Sequence, residues 1–191
     1  MTSLAEQKNT LRQEALRRRR AMDPVARVEA GLALAHHAQE LPLPAGAIVA
    51  GFWPIRDEID PRPLLESVRS AGHQLCLPVV VEPHLIFRAF YRDSVFEPAG
   101  FGTYAPGADG EEVRPDVLLM PLAAFDGFGN RIGYGKGHYD KALAALEVDR
   151  KVHCIGVAFG LQEVASVPAE PHDRPLDGIL TEAGYRRFSN L

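Results

Sequence analysis

The residues best suited to chemistry lie in one glycine-rich stretch, residues 126–140, which reads DGFGNRIGYGKGHYD. Gly133, Gly135 and Gly137 occupy alternate positions, where the missing side chains let the backbone approach an anion and take positive φ. Arg131 and Lys136 add positive charge. An apolar run precedes the stretch and a helical pattern follows it, so its N–H groups can converge at a helix N-terminus and bind phosphate. The spacing is not that of the common P-loop, because five residues separate Gly129 from Gly135 and Gly137 follows Lys136. Nor does it fit the dinucleotide pattern G-x-G-x-x-G. Asp140 falls just inside the new helix, where a carboxylate suits the dipole and could also hold Mg²⁺ beside bound phosphates.

Other candidates are scattered. Lys8 and Arg12, spaced i, i+4 on a helical pattern, present two cations on one face, which could meet a polyphosphate but by themselves read as a solvated face. Trp53 and Glu58 follow the first buried strand, at a carboxyl edge where parallel sheets bind ligands; an aromatic and a carboxylate there suit a planar heterocycle. Asp173, on a loop before a strand, reads by itself as a turn residue. The seven histidines show no zinc-binding spacing. Cys76 and Cys154 sit inside apolar runs and read as plain core thiols suited to a reducing compartment. With no G-x-S-x-G elbow, covalent nucleophilic catalysis is not indicated.

Positioning these groups requires strands alternating with helices, and the pattern supplies them. Residues 3–21 favour helix, with Leu4, Leu11 and Ala15 on one stripe. The four arginines Arg17, Arg18, Arg19 and Arg20 then read as its solvated end, complementing the helix dipole. Asp23-Pro24 opens a second helix that runs to about residue 39. Residues 47–53 read as a buried strand, 61–71 as a helix closed by Gly72 and 73–80 as the next strand, which predicts a parallel pair with a crossover helix. Residues 85–91 suit a shorter edge strand. Residues 93–114, rich in Gly, Pro and acids, read as a long surface excursion that could fold over a site. Strands at 116–120, 151–159 and 176–181, and a helix with Tyr139, Leu143 and Leu146 inward, complete the pattern. It predicts a single domain, residues 1–191: a three-layer α/β/α fold with a mostly parallel, Rossmann-like sheet and an N-terminal helical segment.

Hydrophobic residues make up 46% and charged residues 24%, the composition of a soluble globular domain. A net charge of −4 gives no general attraction to nucleic acid or anionic membrane. The polar N-terminus lacks a signal-like apolar core, and no apolar run approaches the roughly 18 residues of a membrane span. The expectation is a cytoplasmic protein acting on a small molecule, without nucleic-acid or membrane partners, as a monomer or weak homodimer.

Four motifs in order, over nearly the whole length, resemble the 5-formyltetrahydrofolate cyclo-ligase (methenyltetrahydrofolate synthetase) family. They are KNTLR at residues 8–12, Asp57-Glu58 after the first strand, FDGFGNRIGYGKGHYD at 125–140, and QEV at 162–164 with VPAEPHD at 167–173. The resemblance implies that ATP binds to Lys8, Arg12 and the run Arg131, Ile132, Gly133, Tyr134, Gly135, Lys136, Gly137, His138 and Tyr139. It implies Mg²⁺ on Asp140 and Asp173. It also implies a folate site lined by Arg12, Trp53, Glu58 and residues 134–138, with Arg131, Lys136 and Glu58 catalytic. Basic residues nearby would permit a polyglutamate tail on the substrate. Glu58 is read as either a proton acceptor or an orienting group. His138 stands where the family usually has Tyr or Phe, and Ala105 precedes Pro106 where an acidic residue is common. Relatives that keep the fold without the activity give the alternative reading, a regulatory folate- or nucleotide-binding protein.

Overall fold

The computed structural model describes residues 3–82, 84–100, 102–135, 137–170 and 173–188. In chain order its elements are α1 (Leu4–Arg20), α2 (Pro24–His36), β1 (Ile48–Ala50), α3 (Arg62–Ser70), β2 (Gln74–Val81), β3 (His84–Phe90), β4 (Phe96–Pro98), β5 (Tyr104–Pro106), β6 (Val117–Pro121), β7 (Ala124–Phe125), β8 (Arg131–Ile132), α4 (His138–Leu146), β9 (His153–Val157), β10 (Gly178–Thr181) and β11 (Gly184–Arg187). The main sheet runs β11-β10-β9-β6-β1-β2-β3. Its five inner strands are parallel, and β3 and β11 pair antiparallel at the two edges.

Alternation along the strands produces the layers, because successive side chains point to opposite faces. Val49, Leu75, Leu77, Val117, Leu119, Ile155 and Val157 all enter one core with Leu34 of α2 and Leu64, Leu65 and Val68 of α3. Their neighbours Ala50, Cys76, Leu118, Met120 and Cys154 enter a second core with Ala142 and Leu143 of α4. Both faces of the sheet are therefore covered, and the chain has the predicted three-layer α/β/α form. A third, smaller cluster joins Leu11, Ala15 and Leu16 of α1 to Ala123, Ala124, Ile132 and Val167. Through it α1 packs on the β7–β8 hairpin that precedes the glycine-rich loop.

The helix starts follow their caps. Ser3 accepts from the Glu6 N–H while the Glu6 carboxylate accepts from the Ser3 N–H, a reciprocal capping box. Asp23 accepts from the Val25 and Ala26 N–H groups, with Pro24 in the first turn.

Several boundaries and faces differ from expectation. Leu4 is exposed, so the buried face of α1 begins at Leu11. The second helix stops at His36 and tightens into a 3₁₀ turn, Ala38–Glu40. The first strand is shorter than expected, Ile48–Ala50, and the chain then passes tightly over α3: a Cβ on Gly51 would lie 2.6 Å from Leu65 Cδ1. Residues 93–114 are not a plain excursion. They contain the β4–β5 hairpin, and the Glu111 carbonyl and Val113 N–H then bond β3, covering its outer edge. Arg19 is not solvated: it is only 3% exposed, because Asp57 offers it a buried counter-charge.

Cys76 and Cys154 are core thiols as expected, and burial pushes the Cys154 thiol up to about 12. The register Cys76–Ala50–Leu118–Cys154 separates them by three strand spacings, roughly 14 Å, too far for a disulfide. Among the described residues no helix is long and apolar enough to cross a membrane.

Candidate active site

The strand order reverses between β1 and β6: the chain leaves β1 for β2 on one side and later returns to lay β6 on the other. Such a reversal opens a crevice beyond the carboxyl ends of the two strands, where α/β sheets bind ligands. Trp53, Asp57 and Glu58 follow β1. The β7–β8 hairpin and glycine-rich loop follow β6. Topology thus brings together two groups of residues some seventy positions apart.

Asp126 organises the turn of the hairpin. Fully buried, its carboxylate accepts from the N–H groups of Phe128 (2.9 Å), Asn130 (3.0 Å) and Val167 (2.9 Å) and from the Asn130 side-chain amide (2.9 Å). Gly129 in that turn has φ +88°, and a Cβ there would lie 2.8 Å from the Leu176 carbonyl oxygen. Downstream, Gly135 (φ +92°) and Gly137 (φ +66°) take the left-handed conformation expected of them, whereas Gly133 does not. Gly133 instead continues from β8 and turns its carbonyl to Arg12. Gly137 precedes α4 without a side chain to cap it, leaving first-turn N–H groups available to an anion.

Cations surround this loop. Arg12 Nε donates to the Gly133 carbonyl at 2.8 Å, and its guanidinium carbon lies 3.6 Å from where a Gly135 Cβ would be. The Arg131 side chain, 8% exposed, donates through Nη2 to Asp140 at 2.6 Å and through Nη1 to the Arg174 carbonyl. One guanidinium therefore ties the start of α4 to the segment that carries Asp173. Lys8 Nζ reaches Asp173 at 2.6 Å and Glu170 at 2.8 Å, and Asp173 also accepts from the Glu170 N–H, so it is at once a turn residue and an ion-pair partner. Ile132 is buried in the α1 contact, and His138 and Tyr139 begin α4. Lys136 lies outside the described residues.

On the β1 side, Glu58 Oε2 accepts from the Ile55 N–H at 2.9 Å, while Oε1 is buried with no hydrogen-bond partner among the described residues. Burial pushes the Glu58 carboxyl above the ordinary carboxylate value, against the opposing pull of the nearby Tyr134 hydroxyl, the Ile55 N–H and Arg19. Tyr134 turns its hydroxyl inward to Arg19 Nη1, 2.7 Å away. Trp53 packs against Phe96 (5.7 Å between ring centroids) and Tyr104 (5.2 Å), with the Arg62 guanidinium 5.3 Å from its ring. The β4–β5 hairpin therefore covers Trp53.

Among the described residues no cluster of three or more His, Cys, Asp or Glu could hold a metal. Asp140 uses only Oδ1 toward Arg131, and Oδ2 has no hydrogen-bond partner among the described residues. A carboxylate oxygen beside an uncapped helix start fits Mg²⁺, which is held by one or two carboxylates together with substrate phosphates rather than by a protein cage.

The profile of the 5-formyltetrahydrofolate cyclo-ligase family matches residues 4–182, a span that holds every group described above. The chain belongs to that family. The cyclo-ligase of Escherichia coli K12 is 33% identical over 172 residues, covering 86% of this chain and 94% of its own. That of Haemophilus influenzae is 31% identical over 139 residues, 69% of this chain and 74% of its own. The solution structure of the Aquifex aeolicus 5,10-methenyltetrahydrofolate synthetase superimposes with a TM-score of 0.80 at 29% identity, covering 94% of this chain and 92% of that one. As a member of the cyclo-ligase family the chain is a ligase.

Sequence reasoning missed four residues that pack or bond at this candidate site of the cyclo-ligase. Arg19 was legible in principle, since it follows Arg12 by seven positions and so shares its helix face. Asp126 was visible within the motif, but its role as a buried acceptor was not. Phe96 and Tyr104 gave no signal, because a three-residue strand is too short for a period.

Proposed function

We propose that this cyclo-ligase converts 5-formyltetrahydrofolate to 5,10-methenyltetrahydrofolate with consumption of Mg-ATP, the whole chain acting as one domain. What most supports the reading is a single arrangement at the strand-order reversal. An uncapped helix start, with Arg131 and Asp140 paired beside it and Arg12 on the loop before it, follows one of the two strands at the reversal, and the buried carboxyl of Glu58 follows the other.

In this reading the formyl oxygen on N5 attacks the γ-phosphorus and ADP leaves, turning a poor oxygen leaving group into phosphate. N10 then attacks the activated carbon, its proton is lost, and phosphate departs. Little of this is covalent work for the protein; the burden is alignment and charge compensation of a loose phosphoryl transition state. Arg12, Arg131 and Lys136, with the N–H groups at the start of α4, neutralise the phosphates. Asp140 and Asp173 would hold Mg²⁺, which when bound supplies further charge neutralisation at the phosphates. Trp53 and Tyr134 flank the pterin. Glu58, its carboxyl raised by burial, takes the N10 proton.

The test is formation of methenyltetrahydrofolate, followed by absorbance, from 5-formyltetrahydrofolate and Mg-ATP. Product in proportion to enzyme is expected, with loss of most turnover in Lys136→Ala. Folded protein without product would sink the reading, and saturable folate binding without turnover would point to a regulatory relative.

A further inference from the structure

We propose that Arg19 is a positioning residue that sets the pterin-facing side of the site by holding the Asp57-Glu58 step and the Tyr134 loop in one fixed relation. The inference rests on the functional reading above. Positions 8, 12, 15 and 19 recur at helical spacing, so Lys8, Arg12, Ala15 and Arg19 share one face of α1. Along that face Lys8 meets Asp173, Arg12 meets Gly133, and Arg19 meets Asp57 and Tyr134. One helix thus touches three segments of the crevice.

Arg19 is distinguished by burial and by bridging. It is 3% exposed, donates from Nε to Asp57 Oδ2 at 3.0 Å and from Nη1 to the Tyr134 hydroxyl at 2.7 Å, and its guanidinium lies 5.8 Å from the Tyr134 ring centroid. Its two acceptors come from segments following different strands. A planar guanidinium can hold both in a set orientation; a lysine ammonium, a point charge on a flexible stem, cannot. A buried ion pair contributes little net stability over an apolar replacement, and fixing a register is its best-attested use.

Arg19 would act through its neighbours rather than on the substrate. Among the described residues, the charged and titratable groups that act on the Glu58 carboxyl are Arg19 of α1, Asp57 beside it, Tyr134 of the loop and Tyr139 of α4. Removing Arg19 takes away a cation that favours ionised Glu58.

Trp53, the single tryptophan, gives a fluorescence readout at the site. Arg19→Gln is expected to weaken 5-formyltetrahydrofolate binding about tenfold, the size of a lost buried charged hydrogen bond, while Mg-ATP binding changes less than about twofold. Arg19→Lys should recover part of the loss. Adding Tyr134→Phe to Arg19→Gln should cost little more than Arg19→Gln alone, since the Arg19–Tyr134 contact is already broken. In ligand-free protein the Glu58 carboxyl, followed by carbon-13 NMR, should titrate at higher pH in Arg19→Gln. This last measurement needs neither substrate nor turnover, so it separates failure of this proposal from failure of the functional reading. An unmoved Glu58 titration overturns the proposal, as does parallel loss of folate and ATP binding with a lowered melting temperature. Should Arg19→Gln not fold, the same measurements on Arg19→Lys decide, with a smaller shift in the same direction expected.

Discussion

Arg131 and Asp140, nine residues apart in the chain, meet at 2.6 Å across the glycine-rich loop that separates them. The pair closes the loop onto the first turn of α4, and the second arm of the same guanidinium holds the Arg174 carbonyl. Three segments are thereby locked around the proposed phosphate site. Asp140→Asn keeps the shape but removes the charge, so the Mg²⁺ concentration needed for half-maximal rate should rise more than about tenfold. Initial rates against Mg²⁺ at fixed ATP check this. An unchanged Mg²⁺ dependence would remove Asp140 from the metal site.

Asp126 should matter for folding. Asp126→Ala leaves four donors without an acceptor inside the protein, and unmet buried groups cost roughly 1–3 kcal/mol each, less than additively. A loss of about 4 kcal/mol, or a melting temperature lower by about 8–16 °C for a chain of this size, is expected. Thermal unfolding measures it, and a drop under about 2 °C contradicts the assigned role.

Gly129 should resist substitution for two independent reasons. Its φ of +88° disfavours any L side chain, and a Cβ would press against the Leu176 carbonyl oxygen at 2.8 Å. Gly129→Ala should cost about 2 kcal/mol or more, beyond the 1–2 kcal/mol of the left-handed conformation alone. Gly133→Ala, with no positive φ and no atom of the described residues within 4 Å of the added Cβ, should cost much less in unfolding measurements. Equal losses at the two positions would contradict the assignment.

Glu58 should show opposite effects on stability and turnover. Burial disfavours its ionised form, so the folded protein holds that proton to higher pH than the unfolded chain. Its contribution is full below the ordinary carboxylate value of 4.5 and is lost as pH rises through the raised value. Glu58→Gln, which cannot ionise, should therefore melt higher than the wild type near about pH 7.5 and closer to it near about pH 4. A gap independent of pH would assign the effect to packing. Turnover should fall about 10²-fold or more if the carboxylate takes the N10 proton, and only slightly if it merely orients the substrate.

The sequence by itself determined the layers and the anion loop. Strand alternation at β1, β2, β6 and β9 assigns each residue to one of two cores, and glycines at 135 and 137 ahead of a helix start need only local backbone freedom. Both signals depend on neighbours a few residues away. Family motifs also marked Lys8, Arg12 and Asp173, although no local pattern raised them above surface or turn residues.

Tertiary structure alone decided what those side chains face. The sequence displays four consecutive arginines, yet only the fold separates Arg19, buried against Asp57, from its exposed neighbours Arg17 and Arg20, because the counter-charge lies 38 residues away. The fold likewise made Asp126 a buried acceptor for Val167, 41 residues on, and brought Phe96 and Tyr104 onto Trp53. It also set the conformation of Gly133 apart from that of its glycine neighbours, with Arg12 of a distant helix bonding the Gly133 carbonyl. Burial and long-range pairing are properties of the packed chain, and they fix the ionisation and orientation of groups such as Glu58 that a list of residues leaves open.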